Sequence, residues 1–149
     1  YFGSHPIYSF AGLSSSIILF SDCNNPDNSC DFKFKVPIIS LNSGNDNRDD
    51  DMLNCLDFFS YPEIILDVEN FIVRDYKEEF ILADLSIHGI SQGIQIPLTL
   101  VEISPGNYKV NSEFSILLNE FNVDIPKLLF LPINNEIKIV VQLSIKEAD

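Results

Sequence analysis

From Cys30 onward the chain alternates apolar and polar positions with a period of two. Phe32, Phe34 and Val36 share one side, while Asp31, Lys33 and Lys35 share the other. That spacing predicts a strand with one face in a core and one in water. Ile64, Leu66 and Val68 against Ile65, Asp67 and Glu69 repeat it, running on toward Asn70 to Arg74 before the charged turn D-Y-K-E-E. Ile81, Ala83, Leu85 and Ile87 then alternate with Asp84, Ser86 and His88. The connector H-G-I-S-Q-G suits a hairpin, and Ile94, Ile96, Leu98 and Leu100 form the inward set of its second strand, with Pro97 marking an edge or a bulge. After the S-P-G-N turn, Tyr108, Val110, Phe114 and Ile116 face one way. Asn134-Asn135 turns the chain into a last strand with Ile137, Ile139, Val141, Leu143 and Ile145 inward. Upstream, Ser14 to Asp22 reads as a strand, whereas Tyr1 to Gly12 is only loosely patterned and Asn119 to Lys127 looks irregular. About seven or eight evenly spaced strands indicate an antiparallel barrel or a sandwich.

Asn42 to Leu66 breaks this rhythm. A polar loop leads into an acidic run in which Asp49 or Asp50 can cap a helix start and complement its dipole. Met52, Leu53, Leu56 and Phe59 fall on one helical face. Pro62 removes a donor and turns Tyr61 away from helix, so the helix ends before it. One short helix among strands is expected to plug or cap a sheet.

Composition narrows the function. A length of 149 residues with 46% hydrophobic content suits a single domain over 1–149 with a substantial core. No apolar run approaches the roughly 20 residues of a membrane-spanning helix. A net charge of −13 repels nucleic acid and anionic lipid surfaces. Tyr1 in place of a methionine suggests a processed or trimmed chain. Cys23 and Cys30 flank the turn-rich N-N-P-D-N-S and are either bridged, as in an exported protein, or two free thiols. Cys55 stands apart on the helix.

Little in the sequence supports chemistry. His5 and His88 are the two histidines, no nucleophile elbow is present, and His88 reads as a hairpin-end residue with a hydrogen-bonded ring. A hydrolase built on it is the weaker alternative. A calcium loop counted from Asp46 puts Arg48 where an oxygen ligand is needed and lacks the turn glycine. No metal site is expected. Arg48 can pair with Asp46, Asp49 or Asp50 to pin the loop over a cavity mouth, or can meet a ligand head group. Leu128-Leu129-Phe130-Leu131 is a continuous apolar run, most often a buried strand, otherwise a barrel mouth or an exposed protein contact. An interaction module with a solid core is therefore the second alternative.

The segments N-D-N-R-D-D-D-M-L (45–53), F-F-S-Y-P-E-I-I-L (58–66), L-S-I-H-G-I (85–90) and L-N-E-F-N-V (118–123) resemble the YceI-like family. The resemblance covers about Cys30 to Ile145. It implies a lipocalin-like antiparallel β-barrel, of about eight strands with one short helix, usually exported to the bacterial periplasm or secreted. Such a barrel encloses an isoprenoid or similar long apolar chain. Twelve phenylalanines without a tryptophan agree with an interior suited to an apolar chain. The expected function is non-catalytic binding, transport or storage of an isoprenoid, quinone or lipid-like molecule, by a monomer or homodimer without a further cofactor. The expected wall comprises Phe32, Phe34, Val36, Ile64 and Leu66 from the first half. Leu85, Ile96, Leu98, Phe114, Ile139 and Val141 complete it, with Leu53 and Phe59 from the helix. Arg48 and Asp49 are the candidates for pinning the loop or meeting a head group.

Overall fold

The computed structural model describes residues 1–27, 29–72, 79–128 and 130–146, with Leu128 described in its backbone alone. Among these residues the fold is mostly strand, with one α-helix, and two antiparallel sheets organise it. The first sheet holds β1 (Phe2–His5), β2 (Tyr8–Ala11), β8 (Thr99–Ser104), β9 (Asn107–Leu117) and β12 (Glu136–Lys146) in the order β2-β1-β12-β9-β8. The second runs β3-β4-β5-β6-β7 and is built from β3 (Ile18–Asp22), β4 (Cys30–Pro37), β5 (Glu63–Phe71), β6 (Phe80–Ile87) and β7 (Ile90–Pro97). A two-stranded hairpin, β10 (Lys127–Leu128) with β11 (Leu131–Pro132), stands apart from both.

Register follows the alternation. Phe34 pairs with Leu66, Leu66 with Leu85 and Ile81 with Ile96. In the other sheet Phe114 pairs with Ile139 and Val110 with Leu100. Each inward residue thus meets an inward residue on the next strand, where cross-strand pairs do most to hold a sheet. The outward faces carry ion pairs: Lys33 with Asp67 at 3.2 Å, Lys35 with Glu63 at 2.8 Å and Lys138 with Glu113 at 2.6 Å. These partly exposed pairs contribute less than about 1 kcal/mol each.

Pro97 lies at the end of edge strand β7, where its missing donor is tolerated. Only Leu98 separates β7 from β8, so the chain passes from one sheet to the other across a single residue. Leu98 N–H donates to the Glu79 carbonyl at 3.0 Å, and the Ser112 hydroxyl donates to the Pro97 carbonyl at 2.6 Å. The β6–β7 turn places His88 (φ 51°) and Gly89 (φ 74°) in the left-handed region, as a tight hairpin of this hand requires. A Cβ on Gly89 would collide with the Tyr61 ring, so glycine is needed there twice over.

The helix α1 spans Asp46–Cys55 and begins earlier than the acidic run suggests. Its cap is Asn45, whose side chain accepts from Arg48 N–H at 3.0 Å, and not Asp49 or Asp50. Asn45 is extended, as a cap must be, whereas both aspartates already lie inside the first turns. The C-terminus closes as a Schellman motif. Phe58 N–H donates to the Leu53 carbonyl (3.0 Å) and Asp57 N–H to that of Asn54 (3.1 Å), with Asp57 left-handed at φ 46°.

Three other expectations change. The loosely patterned opening forms the β1–β2 hairpin, in which Gly3 faces Phe10 and the phenyl ring occupies the space a Cβ would need. Residues 118–123 form a 3-10 turn, Leu118–Phe121, followed by left-handed Asn122, and they bury Phe121 and Val123. The apolar run at 128–131 is not a buried strand. Phe130 is 97% exposed at a hairpin turn and Leu131 is also exposed, while Leu129 lies outside the described residues. Val73 and Arg74 and the turn at 75–78 lie outside them too, β5 ending at Phe71. Cys23 and Cys30 are joined by a disulfide, and Cys55 is free.

Candidate functional site

The inward faces of the two sheets do not fill the space between them. At one end Ile38, Leu56, Leu85, Ile87, Ile116, Phe121, Val123 and Ile137 form a tight buried cluster beneath α1. Toward the other end Val68, Ala83 and Ile96 form a smaller buried group, Tyr108 and Val110 are buried on β9, and Phe32, Phe34, Phe71 and Phe114 are half-buried around the group. Between the walls lies a cavity of about 630 Å3 lined mainly by hydrocarbon. That volume is in the range of small-molecule sites. An aromatic group marks one wall, with Phe32 and Phe34 stacked at 6.3 Å and the Phe71 ring edge-on to Phe32 at 6.0 Å.

Of the apolar wall residues expected from the sequence, all but Leu53 and Phe59 face this cavity. β4 supplies Phe32, Phe34 and Val36, and β5 supplies Ile64 and Leu66. Leu85, Ile96, Leu98, Phe114, Ile139 and Val141 come from β6, β7, the Leu98 corner, β9 and β12. Leu53 instead packs on the buried cluster. Phe59 is 93% exposed. The reason is the turn at Asp57, which ends helical periodicity and gives the inward position to Phe58. From α1 the cavity receives Met52, Cys55 and Leu56.

The rim near the start of α1 is polar. Arg48 is fastened there, its Nε donating to Ser43 Oγ and its Nη2 to the Ser43 carbonyl, both at 2.9 Å. Its guanidinium also lies over the Phe10 ring, 5.4 Å from the centroid. Arg48 thus holds the loop through Ser43, where pairing with Asp46, Asp49 or Asp50 was expected. Asp49 completes the grip by accepting from Ser43 N–H at 3.1 and 3.2 Å, and it does not itself line the cavity. Tyr1 reaches the same place. Burial first, then the neighbouring Asp49, pushes its phenol pKa up, with Arg48 opposing.

Tyr1, Tyr8, Phe10 and Ile17 also line the cavity, and sequence reasoning missed them. The signal was faint, the alternation Y-S-F at 8–10 inside a segment broken by Gly3 and Pro6. Burial also raises the Cys55 thiol, aided by Asp51 and Asp124. His88 stands at the hairpin end. Its Nδ1 is 3.3 Å from the Phe121 carbonyl and its ring meets Tyr61 edge-on at 5.3 Å, so it serves as a strut between β6 and the 118–121 turn.

Comparison with known proteins agrees with this architecture. A family model described as a YceI-like domain matches residues 7–145. Among solved structures, a polyisoprenoid binding domain from Saccharophagus degradans, implicated in plant cell wall breakdown, superposes with a TM-score of 0.79 at 15% identity, covering 99% of this chain and 92% of that one. BcnA of Burkholderia cenocepacia gives 0.76 at 13% identity, covering 96% and 93%. A Campylobacter jejuni YCEI protein gives 0.74 at 15%, covering 94% and 86%. No curated protein sequence matches the chain.

Proposed function

The chain belongs to the YceI-like family, and from that we propose that it holds one long apolar or amphiphilic molecule between its sheets without transforming it. The observation that carries this reading is the cavity of about 630 Å3 with its hydrocarbon walls. Phe32, Phe34, Val36, Leu66, Phe114 and Ile139 grip the chain, and burial of apolar surface drives uptake at about 25 cal/mol per Å2. An isoprenoid is the first class to try, since the S. degradans structure is of a polyisoprenoid binding domain. Quinones and lipid-like chains come next. Carriage or storage is the role, performed by residues 1–149 as one domain in a monomer or homodimer. The passage of β7 into β8 across Leu98 supports a barrel-like wrapping of the two sheets. The Cys23–Cys30 bridge supports work in an oxidising compartment such as the periplasm.

Native mass spectrometry of freshly purified protein, followed by organic extraction, tests the reading. A stoichiometric adduct that releases an isoprenoid or acyl chain is expected. A clean apoprotein that also refuses geranylgeraniol, ubiquinone analogues and fatty acids would end it and favour an interaction module instead.

A further inference from the structure

The polar lining of the cavity is not spread evenly. Asn45, Asn47, Arg48 and Asp51 come from α1 or its cap, and Tyr1 and Ser14 join them in the lining. Away from this pole Ser112 already spends its hydroxyl on Pro97, and Gln142 lies at an exposed position of β12. We infer that this pole selects an uncharged, hydrogen-bond-accepting head group, an alcohol or carbonyl, and turns phosphate away. The inference rests on the carrier reading above and specifies which amphiphile the cavity takes.

Arg48 supplies the donors. A guanidinium has five N–H groups, and the contacts to Ser43 use two of them. The remainder are held in place by those contacts and by the Phe10 ring. Tyr1 lines the same pole with its phenol hydrogen-bonded to Ser43, which ties it to the Arg48 site. An isolated arginine at a cavity mouth would favour an anion, but this one is not isolated. Asp51 lines the same cavity, Asp49 holds the other side of Ser43, and Asp46 and Asp50 stand on the same helix. Lys127 is a second cation in the lining, and it is exposed, with Asp124 three residues before it. Asp46, Asp49, Asp50 and Asp51 outweigh Arg48 together with the half charge at the start of the α1 dipole, so a doubly charged head group would enter an unfavourable field.

The test compares three ligands with related branched chains: phytane, geranylgeraniol and geranylgeranyl diphosphate. Each is titrated into the apoprotein by displacement of an apolar dye at low salt and pH 7.5. Geranylgeraniol is expected to bind at least tenfold more tightly than the diphosphate. Asp51→Asn, which leaves the Ser43 grip intact, should narrow that gap several-fold. Arg48→Gln should weaken geranylgeraniol several-fold and leave phytane unchanged, with thermal melting to check that the loop stays folded. A diphosphate that binds as tightly as the alcohol, or an Asp51→Asn gap equal to that of the parent, overturns the head-group inference alone. Failure of all three ligands overturns the carrier reading and this inference with it.

Discussion

The two ends of the space between the sheets are built from the same residue types and differ in how they are used. Beneath α1, Phe121 is 1% exposed and Ile38 is fully buried, and their neighbours close around them. At the other end Phe32, Phe34 and Phe71 remain half-buried because they border empty space. Ile38 and Phe121 lie behind the cavity wall, whereas Leu56, Leu85, Ile87, Ile116, Val123 and Ile137 of the same cluster turn one side to the cavity and the other to the packing. The difference teaches that apolar content does not decide between packing and binding. Elements outside the two sheets, α1 and the 118–123 turn, set how far the gap closes: the turn seats Phe121 behind the wall, while Met52, Cys55, Leu56 and Val123 end at the cavity. Neither element belongs to the period-two pattern.

The comparison is broken most directly at the filled end. Phe121→Ala should cost about 4 kcal/mol in urea unfolding, the usual loss for a large side chain in a closed site. A cost below about 1 kcal/mol would mean that this end is not packed as described. Next in size is the bridge. Replacing Cys23 and Cys30 with serine frees a short loop and should cost about 2 kcal/mol, without change in ligand uptake, because neither cysteine lines the cavity. At the hollow end Phe34→Ala should cost only about 1 kcal/mol, since part of the ring already lacks packing partners, yet it should weaken binding of an apolar chain by about tenfold. Equal destabilisation at Phe34 and Phe121 would erase the distinction between the ends.

The smallest effect is a pH dependence at α1. Burial holds the Cys55 thiol above its ordinary value of 9.0. Below that value both folded and unfolded chains keep the proton, so the contribution to stability is fully present. As pH rises past 9 the unfolded chain ionises first, and stability falls until the folded value is passed. Cys55→Ala should flatten this limb in denaturation midpoints measured between pH 8 and 10. Tyr1, raised from 10.0 for the same main reason, adds a second decline beginning higher.

Much of this was legible in the sequence. Phe32 to Val36, Ile64 to Val68 and Ile137 to Ile145 alternate so regularly that strand, face and neighbour follow from the pattern, and most of the cavity wall follows with them. The cap at Asn45 was not legible against a run of acids, because asparagine and aspartate cap about equally well and only the backbone bend chooses. Phe59 was misplaced because helical spacing was carried past Cys55, while Asp57 took a conformation that glycine usually supplies. Phe121 and Val123, central to the core, lie in a segment with no periodic signal. Arg48 was expected to pair with a carboxylate, but it holds the hydroxyl and carbonyl of Ser43, a short-range contact that charge pattern does not reveal.

The crossing at Leu98 carries a mechanical consequence. Because one continuous segment serves both walls, and its backbone is tied to Glu79 and Ser112, the sheets share a spine. At the opposite margin β2 and β3 end the two strand orders, and there the chain needs residues 12–17 to pass between them, with Leu13 bridged to Asn42 on the way. One seam is thus a single-residue joint and the other a strap, so the spacing of the two walls is set most tightly along β7 and β8.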